Sequence, residues 1–219
     1  MDRLRPNQVE MLSSIAEMKR IFASISRSVA GMDSICIVMT SASRGEGKTT
    51  LTALLAATAA QQTDREVLAL DLNWHQPALH NCFALQPTLD LDQFRVETGI
   101  ESQVQATSIE GLKLLSAPPP TTSERWLRSD VLDLGLTVME SARSSYGIVL
   151  VDTASVYPTN RNMIDPVVLA GAASASLLVV LASVTPKERV KRTLMNLETA
   201  GANVLGTVVN QWQNALASE

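Results

Sequence analysis

Cysteine and histidine are scarce, with two of each among 219 residues. Cys36 and Cys82 cannot make a disulfide framework, and without a His/Cys ligand spacing the chain is a poor zinc enzyme. Both cysteines read as small apolar core residues of a reducing compartment. Charge is sparse at 18%, and 22 acids outnumber 18 Lys and Arg, for a net charge of −4. A chain of this charge without a basic run does not grip nucleic acid or an anionic membrane through bulk electrostatics. The opening Met1-Asp-Arg-Leu-Arg-Pro6 has neither an apolar core nor a small-residue cleavage site, so no secretory signal is expected. One uncharged stretch, 166–186, is long enough for a bilayer. It is interrupted by Pro166, Gly171, Ser174, Ser176 and Ser183, and divides into a helix end at Val167–Ala170, stopped by Gly171, and a buried strand at Ser176–Ala182. No membrane span is expected, and the chain reads as cytoplasmic.

What is present is a globular core. Hydrophobic residues make up 46%, and the length suits one domain over 1–219. Val/Ile/Leu-rich runs at Ser34–Thr40, Glu66–Asp71, Leu112–Ala117, Gly147–Asp152, Ser176–Ala182 and Asn203–Val209 lack polar alternation. That is the pattern of strands covered on both faces. The spacers are long enough for helical crossovers, which predicts an α/β fold with a mostly parallel central sheet and helices on both faces. Met11, Ile15, Met18, Phe22, Ile25 and Val29 recur at spacings of four and three. They predict one helix of about five turns within 1–31, ending at Gly31, packed on the sheet edge or used as an oligomer or partner seam. Thr185-Pro-Lys-Glu188 reads as a capping box with Pro at the first helical position, and Gly201 as the stop of that helix. Gln86–Ser108 is the least structured region, and Pro118-Pro-Pro120 marks a rigid loop.

The strongest motif is Ser41-Ala-Ser-Arg-Gly-Glu-Gly-Lys-Thr-Thr50, a relaxed phosphate-binding loop between a Val/Ile-rich run and the helix former Leu51–Ala60. Gly45 and Gly47 let successive N–H groups turn toward phosphate oxygens, and the following helix presents its positive end to the same anion. Lys48 neutralises the terminal phosphates, and the Thr49 hydroxyl suits Mg²⁺. Ser43, Arg44, Glu46 and Thr50 complete the candidate ATP-binding segment. A magnesium site needs carboxylates at the ends of neighbouring strands. Asp71 closes Val67–Leu70, and Asp152 follows Ile148–Val151 in the Walker B manner. Lys48, Asp71 and Asp152 are therefore the candidate catalytic residues, with Thr49, Asp152 and Asp71 as candidate metal ligands.

On these residues the chain resembles the bacterial tyrosine kinases of capsule and exopolysaccharide assembly, P-loop proteins related to the MinD/ParA ATPases. The resemblance runs from about Ser13 to Trp212. Thr40–Thr50 is close to the family's Gly-Glu-Gly-Lys-Ser/Thr loop. Asp71-Leu-Asn-Trp-His-Gln-Pro-Ala-Leu-His80 is similar to its second acidic motif, Pro119-Pro-Thr-Thr-Ser-Glu124 to its Pro-rich segment, and Tyr146–Thr153 to its Walker B strand. Gly201–Asn210 matches the last strand, where the resemblance implies that Asn210 recognises the adenine. Ser43 stands where the MinD/ParA branch carries a lysine directed at a partner subunit's nucleotide, which favours the polysaccharide branch. Three departures stand out. Asn73 replaces the second Asp of the acidic motif and His75 its Arg. Glu17-Met-Lys-Arg20-Ile-Phe-Ala23 lacks the last Arg of the oligomerisation pattern. The only tyrosines are Tyr146 and Tyr157, without a tyrosine-rich tail. Tyr146 and His80 read as packing residues, and His75 is left open.

The resemblance implies ATP and Mg²⁺ as cofactors and a protein-tyrosine kinase of surface-polysaccharide production, with Asp71 orienting or deprotonating the acceptor hydroxyl. The alternatives are a nucleotide switch that hydrolyses ATP without a tyrosine acceptor, or a positioning ATPase of the MinD/ParA type. The implied partner is a membrane-anchored polysaccharide co-polymerase that recruits the chain to the inner face of the membrane, with a homo-oligomer as a further expectation.

Overall fold

The computed structural model describes residues 6–87, 100–117, 128–157 and 163–211. The expected Pro118–Pro120 loop and the Pro119–Glu124 segment lie outside the described residues, as does most of the predicted irregular region. Seven strands form one sheet in the order β3-β4-β2-β5-β1-β6-β7. They are β1 (Ile35–Ser41), β2 (Val67–Asp71), β3 (Gln105–Ala106), β4 (Leu112–Leu115), β5 (Ile148–Asp152), β6 (Ala175–Leu181) and β7 (Val204–Asn210). All pairings are parallel except that of the short edge strand β3 with β4. All six predicted strands are present; β3, at two residues, is too short to leave a periodic signal.

The helices are α1 (Pro6–Ser13), α2 (Ala16–Ser28), α3 (Lys48–Gln62), α4 (Leu79–Cys82), α5 (Arg128–Ser145), α6 (Pro166–Ala172) and α7 (Lys187–Thr199). Alternation along β1 sends Ile35, Ile37 and Met39 into the core shared with α2 and α3, and Cys36 and Val38 into the core shared with α5 and α6. Helix α3 buries residues around most of its circumference, Leu51 to Ala59 included. Its Ala-rich composition lets it sit close on the sheet, as an apolar helix must. Both cysteines are free and buried, and burial pushes the Cys36 thiol up to about 12.

Four expectations need correction. The N-terminal helix is broken at Ser14-Ile15, where the Ser13 and Ser14 hydroxyls donate to the carbonyls of Glu10 and Met11 at 2.8 Å. Such local side-chain bonds compete with the helical ladder. Met18, Phe22, Ile25 and Val29 are buried as expected, but Met11 and Ile15 are exposed and Val9 is buried in their place. Strand β7 is not covered on both faces, for it is an edge strand whose Val209 is 55% exposed. Gly171 does not stop α6, which continues to Ala172. A Cβ on Gly171 would lie 2.6 Å from the Ala200 carbonyl oxygen, so glycine there permits close packing of α6 on the end of α7. Finally, Thr185 does not cap α7. Pro186 stands at the N-cap without a side-chain capping bond, and the Thr185 hydroxyl is used elsewhere. The uncharged 166–186 stretch splits into α6 and β6 as expected, and among the described residues no helix is long and apolar enough to cross a membrane.

Candidate nucleotide site

Strand order creates the site. The chain leaves β1 for β2 on one side, returns in β5 beside β1, and continues to β6 and β7 on the other side. In parallel sheets, ligands bind outside the carboxyl ends of strands at such a reversal. The loop 42–47 occupies that position, between β1 and the N-terminus of α3.

The predicted glycines carry the backbone through conformations that other residues resist. Gly45 and Gly47 have φ of +79° and +91°, in the left-handed region. Gly47 also lies so close to the Asn210 amide that a Cβ would collide with it. Behind the loop, Val156 N–H and Tyr157 N–H donate to the carbonyls of Ser41 (2.9 Å) and Ala42 (3.1 Å), fixing its entry. Arg44 and Gly45 are exposed, Ser43, Thr49 and Thr50 half-buried, and Lys48 only 7% exposed. Burial lowers the Lys48 pKa, opposed by the negative charges of Asp152 and Glu46 and assisted by Arg44.

The Thr49 hydroxyl donates to Asp152 Oδ2 at 2.6 Å. Asp152 Oδ1 is buried with no hydrogen-bond partner among the described residues. Asp71 lies directly beside it on β2 in register. The Asp152 pKa is pushed up to about 7, first by burial and then by the charge of Asp71, against the attraction of Lys48 and the Thr49 hydrogen bond. Asp71 is raised to about 6 by burial, against three backbone N–H donors. Those donors are Asn73 to Oδ1 at 3.0 Å, and Ala78 and Leu79 to Oδ2 at 3.1 Å each. Asp71 thus organises the turn that follows β2, and any role toward metal or acceptor must use the lone pairs left over. Asn73 is half-buried at this turn, His75 is half-buried beside it, and His80 lies on α4 with Nε2 3.0 Å from the Asn81 amide.

This arrangement suits Mg²⁺. An orphaned buried carboxylate oxygen, a hydroxyl on its neighbouring oxygen and two carboxylates disfavoured in their charged forms are what a hard cation would relieve. Among the described residues no cluster of three or more His, Cys, Asp or Glu could hold a metal.

Three side-chain bonds that sequence reasoning missed tie the loop to the last third of the chain. The Thr185 hydroxyl donates to Glu46 Oε1 at 2.5 Å and accepts from Leu181 N–H at 3.1 Å. The Asn210 amide donates to the Glu46 carbonyl at 3.1 Å. Arg189 Nη1 donates to Ser43 Oγ at 2.9 Å. Thr185 does carry a sequence signal, but the Pro beside it made the hydroxyl read as a helix cap. Nothing in the sequence pairs Arg189 with Ser43.

The two tyrosines lie at opposite ends of the sheet. Tyr146, 5% exposed, packs below the amino end of β5, where its carbonyl accepts from Ser34. Tyr157 follows the carboxyl end of β5, and its hydroxyl accepts from the Asn196 amide at 2.9 Å.

Comparison with known proteins agrees with this geometry. The family model of the CobQ/CobB/MinD/ParA nucleotide binding domain matches residues 37–219. The tyrosine-protein kinase YwqD of Bacillus subtilis is 29% identical over 196 residues, 86% of this chain and 75% of that protein. The putative tyrosine-protein kinase CapB of Staphylococcus aureus is 29% identical over 91% of this chain and 85% of its own length. The tyrosine-protein kinase etk of Escherichia coli K12 is 25% identical over 90% of this chain, which spans only 26% of that longer protein. Among solved structures, the chimerical protein CapA2B2 superposes with a TM-score of 0.76 at 23% identity, covering 92% of this chain and 86% of the other. The MinD protein of Pyrococcus horikoshii in complex with Mg-ADP gives a TM-score of 0.64 at 20% identity, covering 83% and 72%.

Proposed function

We propose, for a chain that belongs to the CobQ/CobB/MinD/ParA nucleotide-binding-domain family, that it binds Mg-ATP at residues 43–50 and acts as a protein of the bacterial tyrosine kinase type in exopolysaccharide or capsule production. The observation that carries the nucleotide half is the Thr49–Asp152 hydrogen bond at 2.6 Å beneath the loop, beside the unpartnered Asp152 Oδ1. The kinase half rests on the relatives named above.

In this reading the loop N–H groups and the α3 N-terminus cradle the phosphates, and Lys48 places its ammonium on the terminal ones. Thr49 and Asp152 hold Mg²⁺, with Asp71 beside them; when bound, that ion neutralises phosphate charge. Burial keeps water from screening Lys48, which strengthens its hold on phosphate oxygens. Asn210, anchored on the Glu46 carbonyl against Gly47, stands at the rim where a base would lie. Transfer then depends on positioning and charge neutralisation more than on covalent chemistry. A membrane-anchored co-polymerase and a homo-oligomer are the partners proposed, and they would bring a cytoplasmic chain to the inner face of the membrane.

One observation favours a second reading, an ATP-hydrolysing switch without a tyrosine acceptor. Both Asp71 oxygens already accept backbone N–H bonds, which leaves less of this carboxylate for an acceptor hydroxyl. Incubation with Mg-ATP, followed by both phosphate release and phosphotyrosine measurement, separates the two. Phosphotyrosine on an added peptide supports the kinase; release alone supports the switch. Neither product in a folded sample overturns both.

A further inference from the structure

Helix α7 brings a further cation to the phosphate loop, beside Arg44 and Lys48. Arg189 lies in its first turn, and its guanidinium donates to Ser43 Oγ at 2.9 Å, on the loop two residues before Gly45. The helix is held in this place at its root. Thr185, just before it, donates to Glu46 of the same loop and accepts from Leu181 N–H. Glu46 is only 2% exposed, and its Oε2 is buried without a hydrogen-bond partner among the described residues, so this junction is part of the core. Arg189 N–H bonds back to the Pro186 carbonyl at 2.9 Å, which sets the first turn. The nearest acid in sequence, Glu188, is directed to Lys191 at 3.1 Å. Arg189 also lines a cleft of about 510 Å³ with Tyr157, Pro186, Glu188 and Arg192. Tyr157 N–H bonds to the Ala42 carbonyl, so this cleft adjoins the loop.

A serine hydroxyl is a weak acceptor for a guanidinium. A phosphate group adds full negative charge and accepts two guanidinium N–H groups side by side, which makes it the stronger partner. The arginine is therefore held beside the loop by a bond that an incoming anion would outcompete. Loop N–H groups and Lys48 hold the phosphates from the side of α3; a cation entering over Ser43 from a neighbouring helix adds a second approach to the outermost one.

We propose that Arg189 contacts the terminal phosphate of bound ATP, so that helix α7 distinguishes ATP from ADP within a single chain. This rests on the nucleotide reading above. The test is calorimetric titration of Mg-ATP and Mg-ADP into the full chain and its Arg189→Ala, Arg189→Lys, Arg192→Ala and Lys48→Met variants, each checked for an unchanged melt. Arg189→Ala should weaken Mg-ATP about tenfold, the low end for a charged hydrogen bond at an exposed site, and Mg-ADP less than twofold. Arg189→Lys should recover part of the loss. Arg192→Ala, which removes the same charge one turn further along, should change neither. Equal losses for ATP and ADP would mean that Arg189 only braces the loop, and no loss would mean that it faces solvent; either overturns the proposal. If Lys48→Met loses both nucleotides while Arg189→Ala loses neither, this inference fails and the nucleotide site stands. If the natural chain binds neither nucleotide, both fall.

Discussion

Replacing Asp152 by asparagine should make the nucleotide-free protein more stable at pH 8 while removing its response to Mg²⁺. Asp152 and Asp71 are buried side by side at the ends of β5 and β2, and Asp152 holds its proton up to about pH 7 against an ordinary 3.8. A carboxyl raised in the folded state binds a proton more tightly than in the unfolded chain. The folded protein is therefore progressively penalised as pH rises from about 4 to 7, and the penalty is complete above that. Asp71, raised to about 6, adds in the same direction. For Asp152 the shift sets a ceiling of about 4 kcal/mol at 1.36 kcal/mol per pKa unit. Asparagine also removes the partner charge of the buried Lys48 and keeps an acceptor for the Thr49 hydroxyl. We therefore expect a net gain of roughly 2 kcal/mol at pH 8. At pH 4.5 the gain should be much smaller, because Asp152 is then protonated in the folded state and only about a quarter of the penalty has built up. Urea unfolding of both proteins from pH 4.5 to 8.5, without nucleotide or divalent cation, measures it. Parallel stability curves, or an Asp152→Asn protein weaker at pH 8, would refute the description of Asp152 as a carboxylate destabilised in its charged form by burial.

Two further perturbations probe the site and the fold. Asn73→Asp restores a carboxylate beside Asp71 and should lower the Mg²⁺ concentration for half-maximal ATP turnover; superimposable Mg²⁺ titrations would show that position 73 has no part in the site. Gly171→Ala forces a methyl group to within 2.6 Å of the Ala200 carbonyl. It should cost about 1–3 kcal/mol and lower Tm by roughly 3–10 °C without changing nucleotide affinity. An unchanged melting curve would mean that the contact between α6 and the end of α7 is loose.

The strands and the phosphate loop were legible because their signals are local. Six Val/Ile/Leu-rich runs, separated by spacers with room for crossovers, leave little besides a parallel sheet, and glycines at 45 and 47 leave little besides a tight loop before a helix. The N-terminal stripe misled because periodicity does not register competition for backbone carbonyls, and the Ser13 and Ser14 hydroxyls break the helix. Strand β7 read as buried because Asn203–Val209 is Val/Leu-rich, yet composition does not say which strand ends at an edge. Thr185 was visible but misassigned, since one hydroxyl can cap a helix or bind a distant carboxylate. Arg189 was invisible, because its partner Ser43 lies 146 residues away in sequence. The Asp71–Asp152 pairing was legible only as two strand ends; their direct adjacency came from the strand order.

Mg-ATP binding at residues 43–50 is proposed to depend on Lys48. Calorimetric titration of Mg-ATP into the natural chain and Lys48→Met tests it most directly, with the thermal melts compared to show both are folded. If Lys48 holds the phosphates, the natural chain should bind saturably and Lys48→Met should lose at least tenfold in affinity. Equal affinities in two equally folded proteins would contradict it.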